Sequence, residues 1–211
     1  MDKSKSLNDK DWTGNKASTF VTLAASNHSN EIREENDYYA TDPIAMTNIL
    51  KKLKDDGVDL NKNIWECACG EGHLSKVLKE NGYNVLSTDL VSRGYGKGNI
   101  DFLHTNFSRK WNGDIVTNPP YKYALDFVKK GLEVIEDGNK VMMFLKIQFL
   151  EGKSRAELYK NNNPKYVYVA SGRINCAKNG RFDKYKSSAV AYAWYIWEKG
   201  YKGETIVRWF N

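Results

Sequence analysis

The sequence predicts an α/β fold built on a mostly parallel sheet, and two observations carry that expectation. Short apolar runs at about 63–67, 84–89, 114–118 and 140–147 alternate with helix-patterned segments at about 73–81 and 122–136. Strands separated by helices pair in parallel, because each helix carries the chain back to the end where the previous strand began. The run Val141-Met142-Met143-Phe144-Leu145 is apolar at every position, as a central strand covered on both faces must be. At 211 residues the chain is long enough for one full core, so a single catalytic module is expected.

Residues 1–37 are polar and rich in Asn and Ser around a modest apolar patch, Phe20-Val21-Thr22-Leu23, and read as an extended arm or lid. A helix is expected from Pro43 to Asp55, with Ile44, Met46, Ile49, Leu50 and Leu53 on its apolar side. Thr41 fits the N-cap of that helix, with Pro43 just inside. The strand Ile64-Trp65-Glu66 enters Cys67-Ala68-Cys69-Gly70-Glu71-Gly72, followed by the helical pattern Leu74, Val77, Leu78. Such a loop lies under a nucleotide-like ligand, because glycines let the backbone approach it. The next strand, Asn84 to Thr88, ends in Asp89, an acid about twenty residues past the glycines, which suits a ribose diol as well as an ordinary strand-end turn. Leu74 and Ser75 stand where a dinucleotide fingerprint would have its third glycine, and there is no Walker lysine, which argues against NAD and ATP. Beyond Pro164, Tyr166 to Val169, Ala189 to Trp197 and Thr205 to Phe210 read as strands. The link Lys199-Gly200-Tyr201-Lys202-Gly203 is short enough for a hairpin, and Trp194 and Trp197 fit a hydrophobic sheet surface.

The strand-like Asp114-Ile115-Val116-Thr117 leads into Asn118-Pro119-Pro120-Tyr121. As a turn, this is unremarkable, since Asn and Pro are both turn residues. It also has a chemical use. The exocyclic amine of a base is a poor nucleophile, because its lone pair is delocalised into the ring. An Asn side-chain oxygen and the following Pro carbonyl can accept its N–H bonds and localise that lone pair. Two prolines hold the acceptors in place, and a Tyr ring offers a stacking face for a base that has left a duplex.

Taken in order over roughly residues 38–200, these segments resemble the S-adenosylmethionine-dependent methyltransferases, and among them the DNA adenine-N6 class. The resemblance implies a Rossmann-like class I methyltransferase fold, with a mostly parallel seven-stranded sheet and a late antiparallel hairpin. It implies S-adenosylmethionine as cofactor and DNA as partner. Tyr38-Tyr39-Ala40-Thr41-Asp42-Pro43 is similar to the family's N-terminal cofactor segment, whose Thr meets the methionine carboxylate. Glu66 to Gly72, with Cys67 and Gly70, is similar to the first cofactor loop, and Asp89 to the ribose-binding acid. Asp101 and Phe102 are similar to the pair that contacts the cofactor adenine. Asn118 would serve both cofactor and catalysis, with Pro119, Pro120 and Tyr121 completing the catalytic motif. In the family the loop between the late hairpin strands helps to hold the flipped base; here that loop is Ser171 to Ser188, with Phe182 as a base-packing candidate. Trp12-Thr13-Gly14-Asn15 and Ala25-Ser26-Asn27-His28 resemble small phage and prophage enzymes. The implied organisation is an arm over 1–37 and a methyltransferase domain over 38–211, with a basic insertion at about 151–188. The same motif also occurs in methyltransferases of ribosomal RNA bases and of a protein glutamine amide. Cytosine N4 offers the same amine chemistry, and a fold that binds nucleic acid without catalysis is a further alternative.

The net charge of +6 is concentrated. Between Glu151 and Lys186 stand Lys153, Arg155, Lys160, Lys165, Arg173, Lys178, Arg181, Lys184 and Lys186, opposed only by Glu151, Glu157 and Asp183. Phe149, Tyr159, Phe182 and Tyr185 are interleaved, as phosphate neutralisation plus base stacking requires. Lys153, Arg155, Arg173, Lys178, Arg181, Phe182 and Lys184 are therefore the candidate nucleic-acid contacts, against the alternative of a solvated basic face. Cys67, Cys69 and Cys176 form neither a zinc set nor a disulfide framework, so no metal is expected and Cys67 and Cys69 also fit as small packing residues. The sequence has no apolar run of membrane length and no signal-peptide pattern. A cytoplasmic protein with reduced thiols is expected.

Overall fold

A computed structural model describes residues 39–178 and 190–211, all within one compact unit spanning Asn36–Asn211. The arm expected over 1–37, and the candidates Arg181, Phe182 and Lys184, lie outside the described residues. In chain order the elements are β1 (Tyr39–Thr41), α1 (Ile44–Asp55), β2 (Asn63–Glu66), α2 (His73–Glu80), β3 (Asn84–Ser87), β4 (Asp114–Thr117), α3 (Ala124–Val134), β5 (Lys140–Lys146), α4 (Ala156–Asn161), β6 (Tyr166–Ala170), β7 (Cys176–Lys178), β8 (Tyr192–Glu198) and β9 (Ile206–Phe210).

Seven of the strands form one sheet in the order β3-β2-β4-β5-β8-β6-β9, and β1 pairs with β7 separately. β2, β3, β4 and β5 are mutually parallel. β8 runs against both its neighbours, β5 and β6, and β9 is parallel to β6. The sheet is thus mostly parallel, with the antiparallel strand inserted late. The late antiparallel pair is β6 with β8.

The expected hairpin at Lys199 to Gly203 is corrected by this order, because β6 lies between β8 and β9. The link crosses the start of β6. Asn163 Nδ2 donates to Gly203 O at 3.0 Å, Thr205 Oγ1 donates to Pro164 O at 2.7 Å, and Ile206 N donates to Lys165 O at 2.9 Å. Part of the stretch expected as a basic insertion is regular structure: residues 156–161 are α4 and 166–170 are the sheet strand β6.

Side chains alternate across each strand, so the sheet divides the core in two. On one face α1 and α2 pack Met46, Ile49, Leu53, Leu74 and Leu78 against Ile64, Val116, Met142, Phe144, Trp194 and Ile196. On the other, α3 and α4 pack Phe127, Val128 and Leu158 against Ile115, Val141, Met143, Leu145, Tyr195 and Trp197. β5 is buried on both faces from Val141 to Leu145. Trp194 is fully buried, sits 4.9 Å from the Phe144 ring and donates its indole N–H to Ala45 O at 3.1 Å. Trp194→Ala removes that packing and the second hydrogen bond to a carbonyl of α1, so it should cost about 3–5 kcal/mol; a urea titration would show a lowered midpoint. At its far end α1 is tied to the sheet through Asp56, which meets Lys52 and Arg208 at 2.8 Å each and accepts from Tyr168 at 3.0 Å. The Lys52 hydrogen bond leads the contacts that hold its carboxyl down at about 2.

Candidate active site at the ends of the parallel strands

From β2 the chain moves to β3 on one side, and from β4 it moves to β5 on the other. Where parallel strands diverge in this way, a crevice opens beyond their C-terminal ends, and such folds bind their ligands there. The loop 67–72 leaves β2 and the segment Asn118 to Tyr121 leaves β4, so the fold places the two sequence motifs on either side of that crevice.

The β2 loop is fastened to β3. Thr88 N donates to Glu66 O at 2.9 Å, and Cys69 N donates to Thr88 O at 3.0 Å. Gly70 and Gly72 both have positive φ, 52° and 79°. A Cβ built on Gly72 would lie 2.4 Å from the Tyr95 ring. Gly72→Ala therefore combines a left-handed strain with a clash; it should abolish ligand binding at the loop and lower the thermal midpoint, measured by calorimetric titration and thermal denaturation. Asp89 completes the loop: its carboxylate accepts from Gly70 N at 2.8 Å and Val91 N at 2.8 Å, with Arg93 at 4.0 Å. Leu90, the next residue, is 55% exposed and was not singled out in the sequence.

Glu66 and Cys67, both expected at the cofactor, are buried. Glu66 is 2% exposed and lies beneath the loop, where Ser75 donates to its carboxyl and Ser75 meets Ser87 at 2.6 Å. Burial pushes its carboxyl up to about 8, with the Ser75 hydrogen bond opposing, so Glu66 holds a proton at neutral pH. Its role here is to support the loop from below. Cys67 is buried in the core with Trp65 and Phe102, and burial pushes its thiol well up. Ser87 was foreseeable, since strand alternation puts it on the face of Val85, which α2 covers.

On the β4 side, Asn118 Nδ2 donates to Thr41 Oγ1 at 2.7 Å. Thr41 is 3% exposed, and its strand β1 is held by β7, with Thr41 opposite Cys176. The Tyr121 hydroxyl donates to Cys176 Sγ at 3.5 Å. Its ring lies 6.1 Å from that of Tyr192, and Lys146 Nζ sits 5.1 Å from its centroid. Pro119 is buried and Pro120 half-buried, and the chain turns there into a 3-10 turn at Tyr121–Tyr123. Thr41, Asn118, Tyr121 and Cys176 thus come together from three parts of the sequence. Cys176 and Tyr192 carried no sequence signal, because both reach the site through strand pairing.

Asp101 and Phe102, expected to contact the cofactor adenine, both have partners within the chain. Asp101 caps its own turn, accepting from Leu103 N at 3.0 Å and His104 N at 3.1 Å and meeting His104 Nδ1 at 2.8 Å. Burial raises its carboxyl, but the His104 contacts prevail and hold it below the usual range. Phe102 is buried, 5.2 Å from the rings of both Trp65 and Phe127.

Among the basic candidates, Lys153 and Arg173 are exposed. Arg155 is folded onto its own chain, donating to Gln148 O at 3.3 Å and to Glu151 O, with its guanidinium 4.9 Å from the Phe149 ring. The Lys178 backbone pairs with Tyr39. Phe149 is buried and Tyr159 half-buried, and both belong to the core on the α3 face, so neither serves as an exposed stacking ring. Among the described residues no group of His, Cys, Asp and Glu has the arrangement to hold a metal ion, and no helix is long and apolar enough to cross a membrane.

The fold with its crevice is that of the Rossmann-like class I S-adenosylmethionine-dependent methyltransferases. Solved structures with this architecture include a protein from Listeria monocytogenes assigned as a class I S-adenosylmethionine-dependent methyltransferase, at 13% identity and a TM-score of 0.56, covering 90% of this chain and 70% of that one. A type I restriction-modification system methyltransferase subunit from Streptococcus thermophilus matches at 12% identity and a TM-score of 0.57, covering 90% of this chain and 50% of that one. In sequence, the chain is 31% identical over 98 residues to the ribosomal RNA small subunit methyltransferase A of Mycoplasmopsis pulmonis, a match spanning 41% of this chain and 39% of that protein. No family model matches.

Proposed function

We propose that the protein methylates N6 of adenine in DNA, using S-adenosylmethionine. The observation that carries this reading is the Asn118–Thr41 pair at the end of β4, set across the divergence of β2 and β4 from the positive-φ glycine loop. The residues around the crevice suit that cofactor. The Gly70 and Gly72 backbone permits close approach, Asp89 is an acceptor suited to ribose hydroxyls, and Leu90 can cover one face of a purine.

The cofactor supplies a methyl group already activated on a sulfonium, and the chain supplies placement. Asn118 Oδ1 and the Pro119 carbonyl would accept the two N–H bonds of the amine and turn its lone pair towards the methyl. The bond to Thr41 fixes the plane of the Asn118 amide for that task. Tyr121, braced by Cys176 and Tyr192, would stack on a base drawn from the duplex. The N–C bond would form as the methyl–sulfur bond breaks, leaving the cofactor a neutral thioether, and the methylated amine would lose one proton.

A second reading keeps the chemistry and changes the polymer to RNA; the likeness to the ribosomal RNA enzyme favours it. Mass spectrometry of nucleosides from a methylation-deficient host separates the two. N6-methyladenine in DNA, present with wild type and absent with Asn118→Ala, supports the first reading. A mark confined to RNA supports the second, and no Asn118-dependent mark in either polymer overturns both.

A further inference from the structure

We propose that a cavity of about 480 Å³ beside β3 is a docking subsite for one nucleotide of the nucleic-acid strand, separate from the crevice that holds the reacting base. The inference rests on the nucleic-acid reading above. β3 is the last strand on its side of the sheet, and beyond the bridge between Thr88 and Lys97 nothing pairs with its outer edge among the described residues. The segment from Lys97 to Trp111 wraps this edge and leaves a hollow.

The floor of the hollow is aromatic. Trp65 meets Phe107 edge-on at 4.9 Å and Trp111 at 5.8 Å. Both indole N–H groups are turned to the protein: Trp65 donates to Thr88 Oγ1 at 2.9 Å and Trp111 to Asp114 O at 3.2 Å. The aromatic contribution to the lining is therefore ring surface. The rim carries Lys97, Arg109 and Lys110, all exposed, and no acid lines the cavity. Ring surface beside three exposed cations, with only the neutral Thr88, Asn106 and Ser108 as further polar side chains in the lining, suits a ligand that is flat at one end and anionic at the other. A base with its phosphate meets both demands, and the volume falls in the range of small-ligand sites. None of Gly70, Gly72, Asp89 or Asn118 to Tyr121 lines this cavity. Thr88, which does, directly precedes Asp89, so one end of the lining and the acid on the glycine loop belong to the same short segment.

The test is binding of the full chain to a labelled single-stranded oligodeoxynucleotide and to its RNA counterpart, across a salt titration. Lys97→Ala/Arg109→Ala should bind about tenfold more weakly, with a salt slope smaller by roughly two. A control, Lys51→Ala/Lys54→Ala, removes the same charge from exposed positions on α1 and should bind like wild type. Stronger loss with one polymer than the other identifies the strand that docks. If wild type binds but both double variants weaken equally, or neither weakens, the subsite is overturned while the nucleic-acid reading stands. If wild type binds neither polymer, the single-strand subsite is overturned, and the methylation reading is decided separately by the nucleoside assay above.

Discussion

Asn118→Ala is expected to slow methyl transfer by roughly 10²–10³-fold, the range seen when one preorganised polar contact to a reacting group is removed, while affinity for S-adenosylmethionine is unchanged. The asymmetry follows from how the site is built. The cofactor loop is fixed by backbone bonds between β2 and β3 and by Asp89 on Gly70, none of which involves Asn118. Asn118 instead contacts Thr41, a residue outside that loop. Single-turnover kinetics with a bound-cofactor titration would separate the two effects. Parallel loss of cofactor affinity and turnover would mean that Asn118 holds the fold of the crevice rather than the amine, and the mechanism proposed above would fail.

The second large effect concerns Glu66. Its carboxyl titrates at about 8 in the folded chain against 4.5 for the ordinary group, so the folded state keeps a proton that the unfolded state has released. Stability from this group is complete below about pH 4.5 and declines as pH rises towards 8, levelling off above. The decline should amount to roughly 2–3 kcal/mol between about pH 6 and pH 8.5. Glu66→Gln, neutral at every pH and still able to bond Ser75, should remove this slope. Chemical denaturation of both proteins across that range measures it. Identical slopes would mean that the carboxyl is ionised in the folded chain, stabilised by contacts other than Ser75.

The parts of the fold that were legible in the sequence are those governed by local pattern. β2, β4 and β5 show as apolar runs because they are buried, and α2 and α3 show as helical spacing because each covers one sheet face. The glycine loop and Asn118 to Tyr121 were legible for the same reason, since each follows directly from a buried strand. Pairing between distant segments was not legible. β1 and β7 are three residues each, too short for alternation to register, yet they bring Thr41 and Cys176 to Asn118 and Tyr121. β8 enters between β5 and β6, which turned an expected hairpin at Lys199 to Gly203 into a crossing over β6. α4, at six residues, was hidden in the run of basic residues. Asp101 and Phe102 show a different limit: residue type alone does not reveal that a turn engages the Asp101 carboxylate or that Phe102 packs in an aromatic cluster.

The place of β8 also sets a timetable for the nascent chain. β5 ends at Lys146 and β6 at Ala170, but the strand that joins them is Tyr192–Glu198. Until it emerges, both carry a bare edge, and that of β5 belongs to a strand buried from Val141 to Leu145 in the finished sheet. At ordinary synthesis rates the interval lasts on the order of seconds, long enough for an unpaired edge to find the wrong partner. The crevice between β2 and β4 can assemble early, but the ribosome must deliver nearly the whole sequence before the sheet beneath it closes.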